Sequence, residues 1–209
     1  MFARWSPIYE FEVTENKYSA ANEVAKESLR LLAQSGKDRP LILDAGIGTG
    51  LLAQQIQDAY PSRIVGLDFT EDMMAIAGAR EITELLIKCD IGKDDWPLET
   101  GSCDMVISAG LAEYLTPEML RHFLFESKRV LQQNGLLVFT YLPREPQQKQ
   151  TTLWHGHSGT YLISGYFSEE LETMLHQSGF TMLHHSPAFK GCIFHDGSSY
   201  DYRMITARS

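Results

Sequence analysis

The sequence predicts an α/β fold, a doubly wound and mostly parallel seven-stranded sheet with an antiparallel strand at its C-terminal end. Three observations predict it. Short apolar runs alternate with helix-spaced segments from Leu41 to Tyr141, the pattern of strands joined by crossover helices and covered on both faces. The first run ends in Gly46-Ile-Gly48-Thr-Gly50 just ahead of a helix-like stretch, which reads as strand, glycine turn, helix. Two late β-like stretches, Phe180 to His185 and Tyr200 to Thr206, have no helix between them, so they pair antiparallel at the sheet edge.

Val24, Ser28, Leu31 and Leu32 lie at helical spacing between Ser19 and Gly36, and Gly36 is placed to end that helix. Strand one is Pro40 to Ala45, followed by the helix Leu51 to Tyr60. Strand two is Arg63 to Asp68; Thr70 can cap the next helix, with Glu71 and Asp72 in its first turn and Met73, Met74, Ile76 and Ala77 on one face. Glu84 to Asp90 is a third strand and Asp104 to Ser108 a fourth. The next helix has Thr116 as N-cap and Pro117 at its first position, with Met119, Leu120, Phe123, Leu124 and Val130 buried and Asn134-Gly135 beyond its end. Strand five is Leu136 to Tyr141. Pro143 to Gly165 is rich in Gln, Thr, Gly, His and Pro and reads as an excursion from the sheet. Ser168 then caps a helix with Leu171, Met174 and Leu175 inward and Gly179 at its end.

With 209 residues the chain is expected to form one domain, 1–209, in four parts: a helical cap (1–36), a core (37–142), an insertion (143–166) and a helix with a strand pair (167–209). A net charge of -9 and no basic run argue against a nucleic-acid partner. Three separated cysteines, Cys89, Cys103 and Cys192, fit a reduced cytoplasmic chain rather than a disulfide scaffold, and Cys89 and Cys103 read as small buried strand residues. Pro7 and Glu10 interrupt any signal-like stretch and no apolar run approaches the roughly 18 residues of a span, so no membrane partner is expected.

In an open α/β sheet, ligands bind beyond the carboxyl ends of the strands, and three such ends here carry an acid: Asp44, Asp68 and Asp90. Gly46, Gly48 and Gly50 let the backbone turn sharply beside a ligand, and the following helix presents free N–H groups. Asp68 lies where a carboxylate accepts both hydroxyls of a ribose while packing against little else, and Asp90 can accept from an adenine amino group.

The ordered set, D-x-G-x-G-x-G after strand one, an acid after strand two and Asp90-Ile91 after strand three, resembles the class I S-adenosylmethionine-dependent methyltransferases of small-molecule type. The resemblance spans Leu41 to Leu142, continuing through Trp96-Pro-Leu98 and the strand Cys103 to Ser108. It implies a Rossmann-like methyltransferase fold with 37–142 as the cofactor core and 143–166 on the acceptor side. The cofactor would be S-adenosylmethionine and the product S-adenosylhomocysteine. Asp44, Ala45 and Gly46 would line the methionine part, with Gly48 and Gly50 completing the turn. Asp68 would hold the ribose, Phe69 and Met73 would cover the adenine, Asp90 and Ile91 would meet its amino edge, and Ser108 and Ala109 would lie near the sulfonium. Trp5-Ser-Pro-Ile-Tyr9-Glu10, followed by Tyr18, resembles the leader that folds over the cofactor in this class.

The segment Gly110 to Leu115 departs from the family, in which many relatives carry a histidine, so no catalytic residue transfers there. Candidates for a general base are Glu113 and Tyr114 after strand four and His155 in the insertion. Otherwise Glu113 is exposed and Tyr114 packs beneath the loop. Trp154, His155 and His157 are candidate acceptor contacts, with a solvated loop as the alternative. No metal is expected, because His155/His157 and His184/His185 lack companions at zinc spacing. The predicted activity is methyl transfer by SN2 displacement to a small-molecule acceptor, in a monomer or homodimer. A module that holds the cofactor without turnover is the alternative. A nicotinamide-dependent oxidoreductase fits less well, since Leu51 stands where its third fingerprint glycine belongs.

Overall fold

The computed structural model describes residues 6, 8–156, 159–193 and 199–209, with the backbone alone for 151–156 and 159–161. Helix α1 (Tyr9–Glu15) precedes α2 (Ala20–Ser35), which Gly36 ends in the left-handed conformation at φ +65°. The core then runs β1 (Leu41–Ala45), α3 (Leu51–Ala59), β2 (Arg63–Asp68), α4 (Glu71–Ala79), β3 (Leu85–Lys88) and β4 (Cys103–Ser108). A 3-10 turn (Ala112–Tyr114), α5 (Pro117–Val130) and β5 (Leu131–Tyr141) follow. The insertion folds as a separate hairpin of β6 (Thr151–Gly156) and β7 (Gly159–Ser164). Helix α6 (Ser168–Gln177), β8 (Thr181–His185), β9 (Phe189–Ile193) and β10 (Ser199–Arg208) complete the chain.

The main sheet has the order β3-β2-β1-β4-β5-β10-β8, and β9 pairs with β10 off that path. Strands β1 to β5 pair in parallel, and β10 runs antiparallel to β5, β8 and β9. This carries one strand more than the seven expected. The residues of β9 lie in what reads as a Gly- and Ser-containing loop, and they become a strand because β10 is long enough to pair beyond β8. Strand β10 is also inserted between β5 and β8, so β8 takes the edge.

Alternation along the strands explains why both faces need covering. Leu43, Val65, Leu67 and Val106 turn to one side and pack with Leu120, Phe123 and Leu124 of α5 and Leu171 and Leu175 of α6. Ile42, Ile64, Met105 and Ile107 turn to the other and meet Val24 and Leu32 of α2 and Leu52 and Ile56 of α3. Each such side chain, fully removed from water, contributes about 1.5–3 kcal/mol. The strand ends are therefore held rigidly, and rigid strand ends position the site.

Several expected boundaries shift. Thr116 does cap α5, its Oγ1 accepting from the Met119 N–H, with Pro117 next in line. Thr70 occupies the N-cap position of α4 without bonding the helix, because its hydroxyl is turned to Asp68. Ser168 is the first residue of α6 rather than its cap; its hydroxyl lies 3.1 Å from that of Tyr141 and accepts from Arg203. Helix α5 stops at Val130, and Asn134 at φ +65° sits in an irregularity of β5, where the register against β4 jumps from Cys103↔Leu131 to Met105↔Leu136. Met119 is half-buried, and Cys89 and Cys103 are buried free thiols.

Candidate functional site

The turn between β1 and α3 is closed by backbone. Gly46 N–H and Ile47 N–H both donate to the Leu67 carbonyl, at 2.8 and 3.0 Å, and Gly46 and Gly48 take φ of +82° and +54°. L side chains rarely adopt such values, and a Cβ on Gly46 would also press on Leu111 at 3.3 Å. Asp68 completes the turn: Oδ2 accepts from Gly48 N–H and Oδ1 from Thr70 N–H, each at 2.9 Å. The carboxylate thus holds two loops together, contrary to the expectation that it packs against little.

These loops form one wall of a cavity of about 370 Å³ at the C-terminal ends of the strands. Of the residues implied for the cofactor, Gly46, Gly48, Asp68, Phe69 and Met73 lie on this wall. Asp90, Ile91 and Ala109 continue it. Asp90 is half-buried and accepts from Lys93 Nζ at 2.8 Å and Gly92 N–H at 3.3 Å; Ile91 is buried and half-exposed Phe69 forms part of the rim. Tyr9 and Tyr18 cover the cavity from the N-terminal segment. Asp44 opens instead onto an adjoining recess of about 40 Å³ that shares Tyr9, Tyr18, Gly46, Gly48 and Ala109 with the cavity.

Ala45, Gly50 and Ser108 do not line the cavity. Ala45 is fully buried in the core. Gly50 is the N-cap of α3 and lies against Ala77 and Arg80 of α4. Ser108 Oγ donates to the Ala45 carbonyl at 2.7 Å and locks β4 to β1.

The second half of the cavity is built from side chains. Glu113 and Tyr114 reach it from the 3-10 turn, and Glu113 is 3% exposed, which overturns the reading of Glu113 as a solvated residue. The Tyr202 hydroxyl donates to Glu113 Oε1 at 2.5 Å, and the Tyr18 hydroxyl bonds to that of Tyr202. Glu113 Oε2 takes no bond from another described residue. Gly110, at φ +70°, leaves room for Tyr18, whose hydroxyl lies 2.0 Å from where a Cβ would stand. Tyr200, Tyr202, Cys192 and Met119 also line this half and were not anticipated. The alternation of Tyr200 and Tyr202 on one predicted strand is the signal that could have found the first two. Trp5, Pro7 and His157 lie outside the described residues, as do the side chains of Trp154 and His155. Among the described residues, no group of three or more His, Cys, Asp or Glu could hold a metal ion.

Three acids of the site are pushed toward their neutral forms. Burial and the charge of Asp68 raise Asp44 to about 8, and its Oδ2 has no partner among the described residues. Asp68 is raised by burial against the opposing pull of the Thr70 and Gly48 N–H groups. Glu113 is raised to about 7 by burial, partly offset by the bond from Tyr202.

A doubly wound sheet with a glycine turn and acids at the C-terminal ends of β1, β2 and β3, two facing the cavity and Asp44 the recess that adjoins it, defines a domain for a nucleoside-type cofactor. Residues 42–135 match the family model for a methyltransferase domain. Over this stretch the chain is similar to the class I S-adenosylmethionine-dependent methyltransferases, whose cofactor is S-adenosylmethionine. It is 34% identical over 127 residues to a malonyl-[acyl-carrier protein] O-methyltransferase of Geobacter sulfurreducens, a match covering 58% of this chain and 46% of that one. The chain spans about half the length of the first curated relatives it matches. Among solved structures, the magnesium protoporphyrin IX methyltransferase of Synechocystis with bound S-adenosylhomocysteine superposes at a TM-score of 0.71. That pair shares 16% identity, with 99% of this chain and 93% of that one covered. The 1,6-didemethyltoxoflavin-N1-methyltransferase of Burkholderia thailandensis gives 0.65 at 17% identity, covering 89% and 78%. Both likenesses show the fold alone. Among the described residues, no helix is long and apolar enough to cross a membrane.

Proposed function

We propose that the protein transfers a methyl group from S-adenosylmethionine to a small-molecule acceptor by SN2 displacement. The observation that carries this reading is the cavity in which Gly46, Asp68, Met73 and Ile91 meet beyond three consecutive strand ends. Asp44 Oδ2, buried and without a partner among the described residues, is the kind of orphaned acceptor that a cationic amino group satisfies, so the donor set fits the cofactor. S-adenosylmethionine, when bound, supplies a methyl group already activated by its sulfonium.

Asp68 accepts the ribose hydroxyls, Asp90 and Ile91 meet the adenine edge, and Phe69 and Met73 cover its ring. Tyr9 and Tyr18 close over the cofactor and keep water from the transfer path. With the electrophile already activated, the chain mainly supplies proximity and alignment. Glu113, with Tyr114 beside it, is the group placed to orient the acceptor.

The test uses S-adenosylmethionine with a trideuterated methyl group, incubated with the protein and a small-metabolite extract. A metabolite heavier by the labelled methyl is the expected result. Tight binding of S-adenosylmethionine with no labelled product would favour a cofactor-binding module. A thermal response to NAD without one to the adenosyl ligands would sink the reading.

A further inference from the structure

The acceptor half of the cavity has a composition from which the chemical class of its occupant can be read. Its walls are flat or apolar: Tyr18, Tyr114, Tyr200, Tyr202, Leu115 and Met119. Among the described residues, the ionisable groups facing Glu113 are tyrosines. Tyr200 and Tyr202 come from β10, Tyr9 from α1, Tyr18 from the turn before α2, Tyr114 from the adjoining position and Tyr166 from the link between β7 and α6. Lys93 is the lining cation among the described residues, and it is paired with Asp90 on the cofactor side. One carboxylate oxygen, Glu113 Oε2, is buried and has no partner among the described residues. Its companion Oε1 is held by Tyr202, so the free oxygen has a fixed direction.

A buried acceptor atom without a donor costs free energy until a ligand supplies one. A carboxylate on the ligand would meet Glu113 with no cation among the described residues to separate them, at the strength of an interaction screened by little water. Resting on the methyltransferase reading above, we infer that the acceptor is a small molecule with a flat apolar body that presents an uncharged O–H, or an N–H, to Glu113 Oε2, and that acceptors carrying a carboxylate at that position are rejected. This sets the chain apart from an acidic acceptor such as that in the name of the Geobacter sulfurreducens relative. Glu113 is thereby a specificity-determining residue, with Tyr202 a positioning residue behind it.

The experiment uses 2-naphthol and 2-naphthoate, which share one apolar body and differ at the polar group. Each is titrated calorimetrically at pH 8 into the protein, with and without saturating S-adenosylhomocysteine. Naphthol binding at least tenfold tighter than naphthoate is expected. Glu113→Gln, nearly the same shape without the charge, should narrow that ratio to less than threefold while S-adenosylhomocysteine affinity stays within about twofold. Tyr202→Phe should weaken naphthol binding severalfold, since the carboxylate loses the bond that fixes its direction, while naphthoate remains the weaker ligand because the charge stays. Equal or tighter binding of naphthoate, no binding of naphthol, an unchanged ratio in Glu113→Gln, or loss of the preference in Tyr202→Phe would each overturn the inference. Failure of S-adenosylhomocysteine to bind at all overturns the methyltransferase reading instead, and the arm without it still decides the role of Glu113.

Discussion

The two halves of the cavity are made differently. On the cofactor side the wall is anchored in backbone, two positive-φ glycines and a carboxylate that accepts from Gly48 and Thr70 N–H groups, with Phe69, Met73 and Ile91 set beside them at the strand ends. On the acceptor side it is side chain, hydroxyls and one carboxylate drawn from residues as far apart as Glu113 and Tyr202. A backbone wall suits one invariant ligand, because its shape changes only if the fold does. A side-chain wall can be altered residue by residue without touching the sheet, so acceptor choice can vary while cofactor binding stays constant.

Breaking the first half should cost most. Asp68→Ala removes a charged acceptor from the ribose and leaves Gly48 N–H and Thr70 N–H unbonded. S-adenosylhomocysteine binding should weaken ten- to a hundredfold, or about 1.5–3 kcal/mol, with a lower Tm as well. Calorimetry and a melting curve check both, and normal affinity would remove Asp68 from the cofactor site.

The second half can be disturbed from behind. A Cβ at Gly191 of β9 would stand 1.7 Å from the Tyr202 ring, so Gly191→Ala must push that ring out of place. About 1–3 kcal/mol of stability should be lost, lowering Tm by roughly 3–10 °C, while S-adenosylhomocysteine affinity changes less than threefold. A large loss of cofactor affinity would show that the halves are not separable.

The smallest effect sharpens the comparison through pH. Burial raises Asp44 to about 8, above its value in the unfolded chain, so the folded state holds a proton that the unfolded state has lost between about pH 4 and 8. Stability from this group is complete below that window and declines as pH rises through it. Asp44→Asn keeps the shape without the charge. In the ligand-free protein it should raise Tm by several degrees more at pH 9 than at pH 5. An equal rise at both values would assign the effect to something other than ionisation.

Legibility follows the same division. Asp44, the glycine turn, Asp68 and Asp90-Ile91 lie at or just beyond the ends of apolar runs, so spacing along the chain was enough to group them. The tyrosine side was hidden because its members meet only when β10 enters the sheet between β5 and β8, a placement that no local pattern encodes. Strand β9 was missed for a related reason: Phe189-Lys-Gly-Cys-Ile193 is too short and mixed to register as a strand until β10 offers it a partner. The shift at Asn134 is local, yet Asn-Gly marks a turn equally well after a helix and inside a distorted strand.

Helix α1 has none of its side chains fully buried, and a main anchor is electrostatic. Arg80 reaches from α4 to donate through Nε to the Thr49 carbonyl at 2.7 Å, while Nη2 pairs with Glu10 at 2.5 Å. One guanidinium thus fastens the flap to the turn beneath it. The pair that joins this helix to the turn is half-exposed, and dissolved salt loosens such a pair. The dissociation rate of S-adenosylhomocysteine, followed by stopped flow, should increase severalfold between low and high ionic strength. In Arg80→Ala the exit should be fast throughout and indifferent to salt.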